Sequence, residues 1–144
     1  LGVCNGFQIL VESGLLPGVL LKNDSLNFMC EWTNLTVENN KTPFTNQFEL
    51  NEKIPIPIAN GDGRYFVDDE TLKQLEKKNQ IVFKYDQVVN GSSNQIAGVC
   101  NEDGNVVGMM PHPERAAESE INPHDNKPSS LIFESLLNKM GANN

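Results

Sequence analysis

Leu1-Gly2-Val3-Cys4-Asn5-Gly6-Phe7-Gln8 opens the chain, and an apolar run, Ile9-Leu10-Val11, follows directly. The spacing is that of a nucleophile elbow, G-x-S-x-G, with sulfur in place of oxygen. Its logic is steric. A nucleophile on a sharp strand-to-helix turn is held in a strained backbone, so its neighbours must lack bulk where strand and helix approach. Gly2 and Gly6 are expected to supply that room, with Cys4 at the N-terminus of the following helix. There the helix dipole and free backbone N–H groups favour the thiolate, the reactive form of the residue.

An elbow follows a central strand, and only Leu1 to Val3 stand here. The chain is therefore expected to be the C-terminal portion of a longer α/β protein, with earlier strands and helices missing. Its 144 residues are one domain's worth, 1–144, enough for a sizeable core. The net charge of −8, with Lys and Arg scattered, argues against a nucleic-acid surface. No apolar run approaches a membrane span, and no signal peptide is expected. Three cysteines without paired spacing suggest a reducing compartment, and cytoplasm is the expectation.

Downstream, Gly6 to Ser13 reads as a helix, with Phe7, Leu10 and Val11 on one face and Gly14 and Pro17-Gly18 as stops. Leu26 to Trp32 and Leu35 to Glu38 read as two strands separated by Thr33-Asn34. Ile54-Pro55-Ile56-Pro57-Ile58 alternates strictly, but proline cannot donate to a ladder, so this strand belongs at a sheet edge. Asn60-Gly61-Asp62-Gly63 signals a turn, and Tyr65 to Val67 a further strand. Asp68 or Asp69 caps a helix that buries Leu72 and Leu75. Ile81 to Tyr85 is a strand, and Asn90 to Ser93 a loop. Ile96 to Cys100 and Val106 to Met110 form a hairpin about Asp103-Gly104. Asn122 to Pro128 is a loop. Ser129 to Met140 closes the chain as an amphipathic helix, with Leu131, Ile132, Leu136 and Leu137 facing inward and Gly141 as its stop.

Gly98-Val99-Cys100-Asn101 repeats Gly2-Val3-Cys4-Asn5 letter for letter and serves as an internal control. Cys100 is followed by Glu102, Asp103 and Gly104, with no second elbow glycine, no helix and two acids that raise a thiol pKa. Cys100 and the strand residue Cys30 are read as structural. Only Cys4 has the surroundings of a nucleophile. Of two histidines, His124 lies in a polar loop and is read as surface. His112 is held between Pro111 and Pro113, which remove backbone freedom on both sides. Glu114 lies two residues on, the same side of an extended chain, where its carboxylate accepts from Nδ1 and leaves Nε2 as a base. Gln8, one turn after Cys4, shares its helix face and lies within reach of a substrate held over the sulfur. The histidines and cysteines have no zinc-ligand spacing, so no metal is expected, and no Walker or GxGxxG motif is present.

Gly2-Val3-Cys4-Asn5-Gly6-Phe7-Gln8 together with Met109-Met110-Pro111-His112-Pro113-Glu114-Arg115 resembles the class I (triad) glutamine amidotransferases. Gly14 to Gly18, Val37 to Asn40 and Ile96 to Asn101 narrow the similarity to the glutaminase subunits of phosphoribosylformylglycinamidine synthase, in purine biosynthesis. The resemblance implies a largely parallel α/β sheet with helices on both faces and an added β-hairpin region. It implies attack by Cys4 on the side-chain amide of L-glutamine, with His112 relaying protons and Glu114 holding it. The backbone N–H of Asn5 would give one oxyanion donor, and a glycine-rich loop upstream of the elbow the second. Gln8 resembles a position near bound glutamine. The implied partners are an ATP- and magnesium-using synthetase subunit, which receives the ammonia, and a small accessory subunit; no cofactor is implied in this chain. Asn60 and Asp62 depart from the family pattern, in which a histidine and a glutamate often stand. Another class I amidotransferase, a cysteine peptidase of the same superfamily and a truncated, non-catalytic binding remnant remain alternatives.

Overall fold

The computed structural model describes residues 1–118, 120–124 and 129–141. Among the described residues eight strands and three α-helices follow the chain: β1 Gly2–Val3, α1 Asn5–Glu12, β2 Val19–Leu21, β3 Met29–Val37, β4 Lys53–Asn60, β5 Arg64–Phe66, α2 Asp69–Lys77, β6 Ile81–Tyr85, β7 Ile96–Cys100, β8 Val107–Met109 and α3 Leu131–Lys139. Six strands form one sheet in the order β1-β8-β7-β6-β3-β4, and β2 pairs with β5 in a separate antiparallel ribbon.

The α/β class and the flanking helices agree with expectation, but the direction of the strands does not. Only β1 and β8 run parallel, and the other four pairings of the large sheet are antiparallel. For β7 and β8 the length of chain between the strands is the reason. β7 and β8 are joined only by Asn101 to Val106, too short for the crossover that parallel neighbours need. Gly104, at φ +70°, makes the tight turn of that hairpin, and Asn101 Oδ1 accepts from Val106 N at 3.0 Å.

Both faces of the sheet are covered. Phe7 of α1 and Leu75 of α2 pack on one side with Ile81, Ile96, Val99 and Met110. Ile132 of α3 packs on the other with Ile54, Ile56, Ile58, Phe83 and Met109. A strand buried on both faces reads as a continuous apolar run, which is why β7, Ile-Ala-Gly-Val-Cys, is buried at all five positions. The α2 cap is as expected, Asp68 Oδ1 accepting from Thr71 N at 2.7 Å.

Three local expectations change. Thr33-Asn34 is no break: β3 runs through it, because Thr33 faces Ile56 and Asn34 faces Pro55 in an unbroken ladder with β4. Cys30 is exposed on β3 rather than buried in a structural role. Leu137 is 46% exposed, so the inward stripe of α3 is narrower than its sequence suggests. Residues 125–128 of the loop expected over Asn122 to Pro128 lie outside the described residues.

β4 is the last strand of the sheet, as its prolines require. Its even-numbered isoleucines pair toward β3, so the nitrogens of Pro55 and Pro57 point to the open side, where no ladder partner is lost. That open edge curls back toward the end of β8, and the Pro57 carbonyl accepts from the backbone N–H of His112 at 2.9 Å. The curl brings the two ends of the sheet to one place.

Candidate active site

Cys4 stands between β1 and α1 with φ 51° and ψ −108°, the strained backbone expected of an elbow. Its N–H is held by the Met109 carbonyl at 2.8 Å, and its own carbonyl accepts from Gln8 N at 3.2 Å. The two elbow glycines have different reasons for being there. A Cβ on Gly2 would lie 2.6–2.7 Å from Leu10 and the Gly6 backbone, so strand and helix meet too closely for a side chain. Gly6 itself faces open space, contrary to the expectation that packing demands it. The second obligatory glycine is Gly108, which pairs with Gly2 and would collide with the Phe7 ring at 2.1 Å.

Because β1 and β8 are parallel and Val3 is in register with Met109, Cys4 and Met110 leave the sheet side by side at its carboxyl end. In α/β folds that end is where ligands bind. His112 follows two residues later and is 7% exposed. Its Nδ1 and Glu114 Oε1 are 2.6 Å apart, and Nε2 is buried without a partner. The pairing does not use the extended geometry expected from i, i+2 spacing. Glu114 lies in a 3₁₀ turn, Pro113–Ala116, which folds the carboxylate back onto the ring. Arg115 Nε is 3.7 Å from the same oxygen.

The thiol departs from expectation. Burial, the largest influence, raises the Cys4 pKa; hydrogen bonding from Asn5 N–H and the positive charge of Arg115 lower it, and Glu114 raises it. The net direction is upward, so the helix N-terminus does not hold a standing thiolate. Attack therefore needs a base to take the proton, and the unpartnered Nε2 is such a group. At Cys100 burial pushes the thiol up to about 11, in keeping with its expected structural role.

Gln8 does not hang free over the sulfur. Its Nε2 donates to the Asp62 carbonyl at 3.2 Å, tying α1 to the Asn60–Gly63 turn. Cys4 Sγ lies 3.9 Å from the Ala59 carbonyl on the open edge of β4. This edge of the site was not legible in the sequence, because the contact spans 55 residues. Nor were Asn23 and Asn90, which shape the turn. Asn23 is fully buried, donating to the carbonyls of Asn27 and Asn60 at 2.9 Å each and accepting from Gly63 N at 3.0 Å. Asn90 donates to the Gly63 carbonyl at 2.7 Å. Their only local signal is asparagine in a loop. His124 is exposed, as expected, with its ring 4.9 Å from that of Trp32.

No helix among the described residues is long and apolar enough to cross a membrane, and no three His, Cys, Asp or Glu among them cluster as metal ligands would.

The chain and its fold have counterparts among known proteins. The structure of PurLQS from Thermotoga maritima is 52% identical in sequence, with a TM-score of 0.83; the match covers 96% of this chain and 60% of that one. A glutamine amidotransferase from the same organism shares the fold at 16% identity and a TM-score of 0.59, again over 96% of this chain and 60% of its own. The chain thus spans about three-fifths of the length of each. The model of the CobB/CobQ-like glutamine amidotransferase domain matches residues 1–138, and the chain belongs to that family.

Proposed function

We propose that this chain is the glutaminase part of a phosphoribosylformylglycinamidine synthase and that Cys4, His112 and Glu114 are its catalytic triad. The observation that carries the reading is topological. A strained Cys4 and a glutamate-oriented His112 follow the ends of two adjacent parallel strands, in a chain 52% identical to PurLQS.

In this reading His112 Nε2 takes the thiol proton as Sγ attacks the side-chain carbon of glutamine. The Asn5 N–H, which bonds the Cys4 sulfur, lies close to where the oxyanion forms. Collapse breaks the C–N bond, the proton passes from His112 to the leaving nitrogen, and ammonia departs from a γ-glutamyl thioester. Water then loses a proton to His112, attacks the thioester and releases glutamate, and the proton returns to Cys4. Glu114 keeps the ring in one tautomer throughout. Gln8 serves the substrate indirectly, by fixing the turn beside it. The ammonia goes to a synthetase subunit that uses ATP and magnesium, with a small accessory subunit in the complex. A cytoplasmic location and the assignment of residues 1–144 to part of a glutaminase domain belong to the same reading.

The test is a split of nitrogen sources in the assembled complex. Cys4→Ala should abolish glutamine-dependent amidation and leave ammonia-dependent amidation intact. Retained glutamine use would refute the reading.

A further inference from the structure

Two donors, one at the elbow and one on α1, face carbonyls at the end of β4 and in the turn beyond it: Cys4 Sγ toward Ala59 at 3.9 Å and Gln8 Nε2 toward Asp62 at 3.2 Å. Between those carbonyls sits Asn60, 4% exposed, with neither side-chain Oδ1 nor Nδ2 partnered. The neighbouring asparagines of this turn, Asn23 and Asn90, are hydrogen-bonded. On the other side of the thiol, His112 Nε2 is also without a partner. The sulfur is thus turned to the β4 edge and not to its base.

We infer that the Ala59–Gly63 turn is a latch on the nucleophile and that Asn60 is the positioning residue that keeps it ready to open. In the closed arrangement the turn holds Cys4 and Gln8, and the buried amide of Asn60 leaves both of its hydrogen-bonding atoms unsatisfied. An unsatisfied buried amide destabilises the arrangement that contains it, whereas an apolar group of the same shape does not. Opening lets the Asn60 amide bond to water or substrate and frees the thiol to meet Nε2. The unpaired amide therefore biases the turn toward opening. The inference rests on Cys4 being the nucleophile, as proposed above.

Asn60→Leu removes the unsatisfied amide at nearly constant shape. It should raise the melting temperature and slow the alkylation of Cys4 by iodoacetamide about fivefold or more. A purely structural asparagine predicts the opposite sign for stability and no such slowing. Gly63→Ala acts in the other direction, because its Cβ would fall 2.0 Å from Asn60 Oδ1 and drive the side chain out. It should speed the alkylation of Cys4. Both variants are to be compared in the complete subunit, with adducts assigned by peptide mapping. An Asn60→Leu rate within about twofold of wild type, or above it, overturns the latch. Iodoacetamide needs no glutamine site, so that failure differs from failure of the glutaminase reading, which appears as glutamine use surviving in Cys4→Ala.

Discussion

At Cys4 two influences oppose one another: burial disfavours the thiolate, while the Asn5 N–H and Arg115 favour it. Burial is the larger, so the thiol titrates above its ordinary value of 9.0. A group with a raised pKa stays protonated as pH rises through its ordinary value and ionises only above it. The iodoacetamide rate at Cys4 should therefore still be climbing above pH 9, where a standing thiolate would have levelled off. A plateau near neutrality would contradict the account. In the proposed mechanism the deprotonation therefore falls to the His112–Glu114 pair. Glu114→Gln keeps an acceptor of similar size but removes the charge that stabilises the imidazolium. It should lower glutaminase kcat by about 10²–10⁴-fold. Because the Glu114 side chain is 49% exposed, the thermal melt should hardly change, and circular dichroism checks that arm.

The elbow depends on a close strand–helix contact that glycine permits. Gly2 lies under Leu10 and the Gly6 backbone, and Gly108, its partner across β1 and β8, lies under Phe7. Gly2→Ala should destabilise by about 1–3 kcal/mol through overpacking, read as a fall in the urea midpoint. Gly6→Ala meets nothing within 4 Å and should fold normally. Equal losses in the two variants would show that packing does not distinguish the glycines. At this scale the sequence was informative wherever the signal is local. The helix after Cys4, the strand Ile81–Tyr85, the β7–β8 hairpin and the edge position of the Pro-Ile strand all follow from neighbours within a few residues. The false break at Thr33-Asn34 shows the limit. Two polar residues read as a turn until β4, some 20 positions on, supplies their ladder.

Across the whole molecule, the site exists because the sheet curls and brings its β4 edge to the end of β8. Pairing of distant strands carries no signature in a single sequence, so the Cys4–Ala59 and His112–Pro57 contacts were not legible, although the turn at Cys4 and the His112–Glu114 pairing were. The largely parallel sheet implied by resemblance likewise gave way to mainly antiparallel pairings, of which β7–β8 is set by its short connection. Asn23 ties the first loop to the end of β4 through bonds that span 37 and 40 residues. Asn23→Ala leaves the Gly63 N–H and the Asn60 carbonyl short of a buried partner, and should cost about 2–4 kcal/mol by urea unfolding. A cost under about 0.5 kcal/mol would mean that the turn is held by other means. The central claim, that Cys4 is the nucleophile of a glutamine-processing site, is tested most directly by covalent capture. The complete subunit is treated with the diazoketone analogue of glutamine, with and without excess L-glutamine, and the adduct is mapped by mass spectrometry. The account predicts one adduct, on Cys4, suppressed by glutamine; an adduct on Cys30 or Cys100 instead, or none at all, would contradict it.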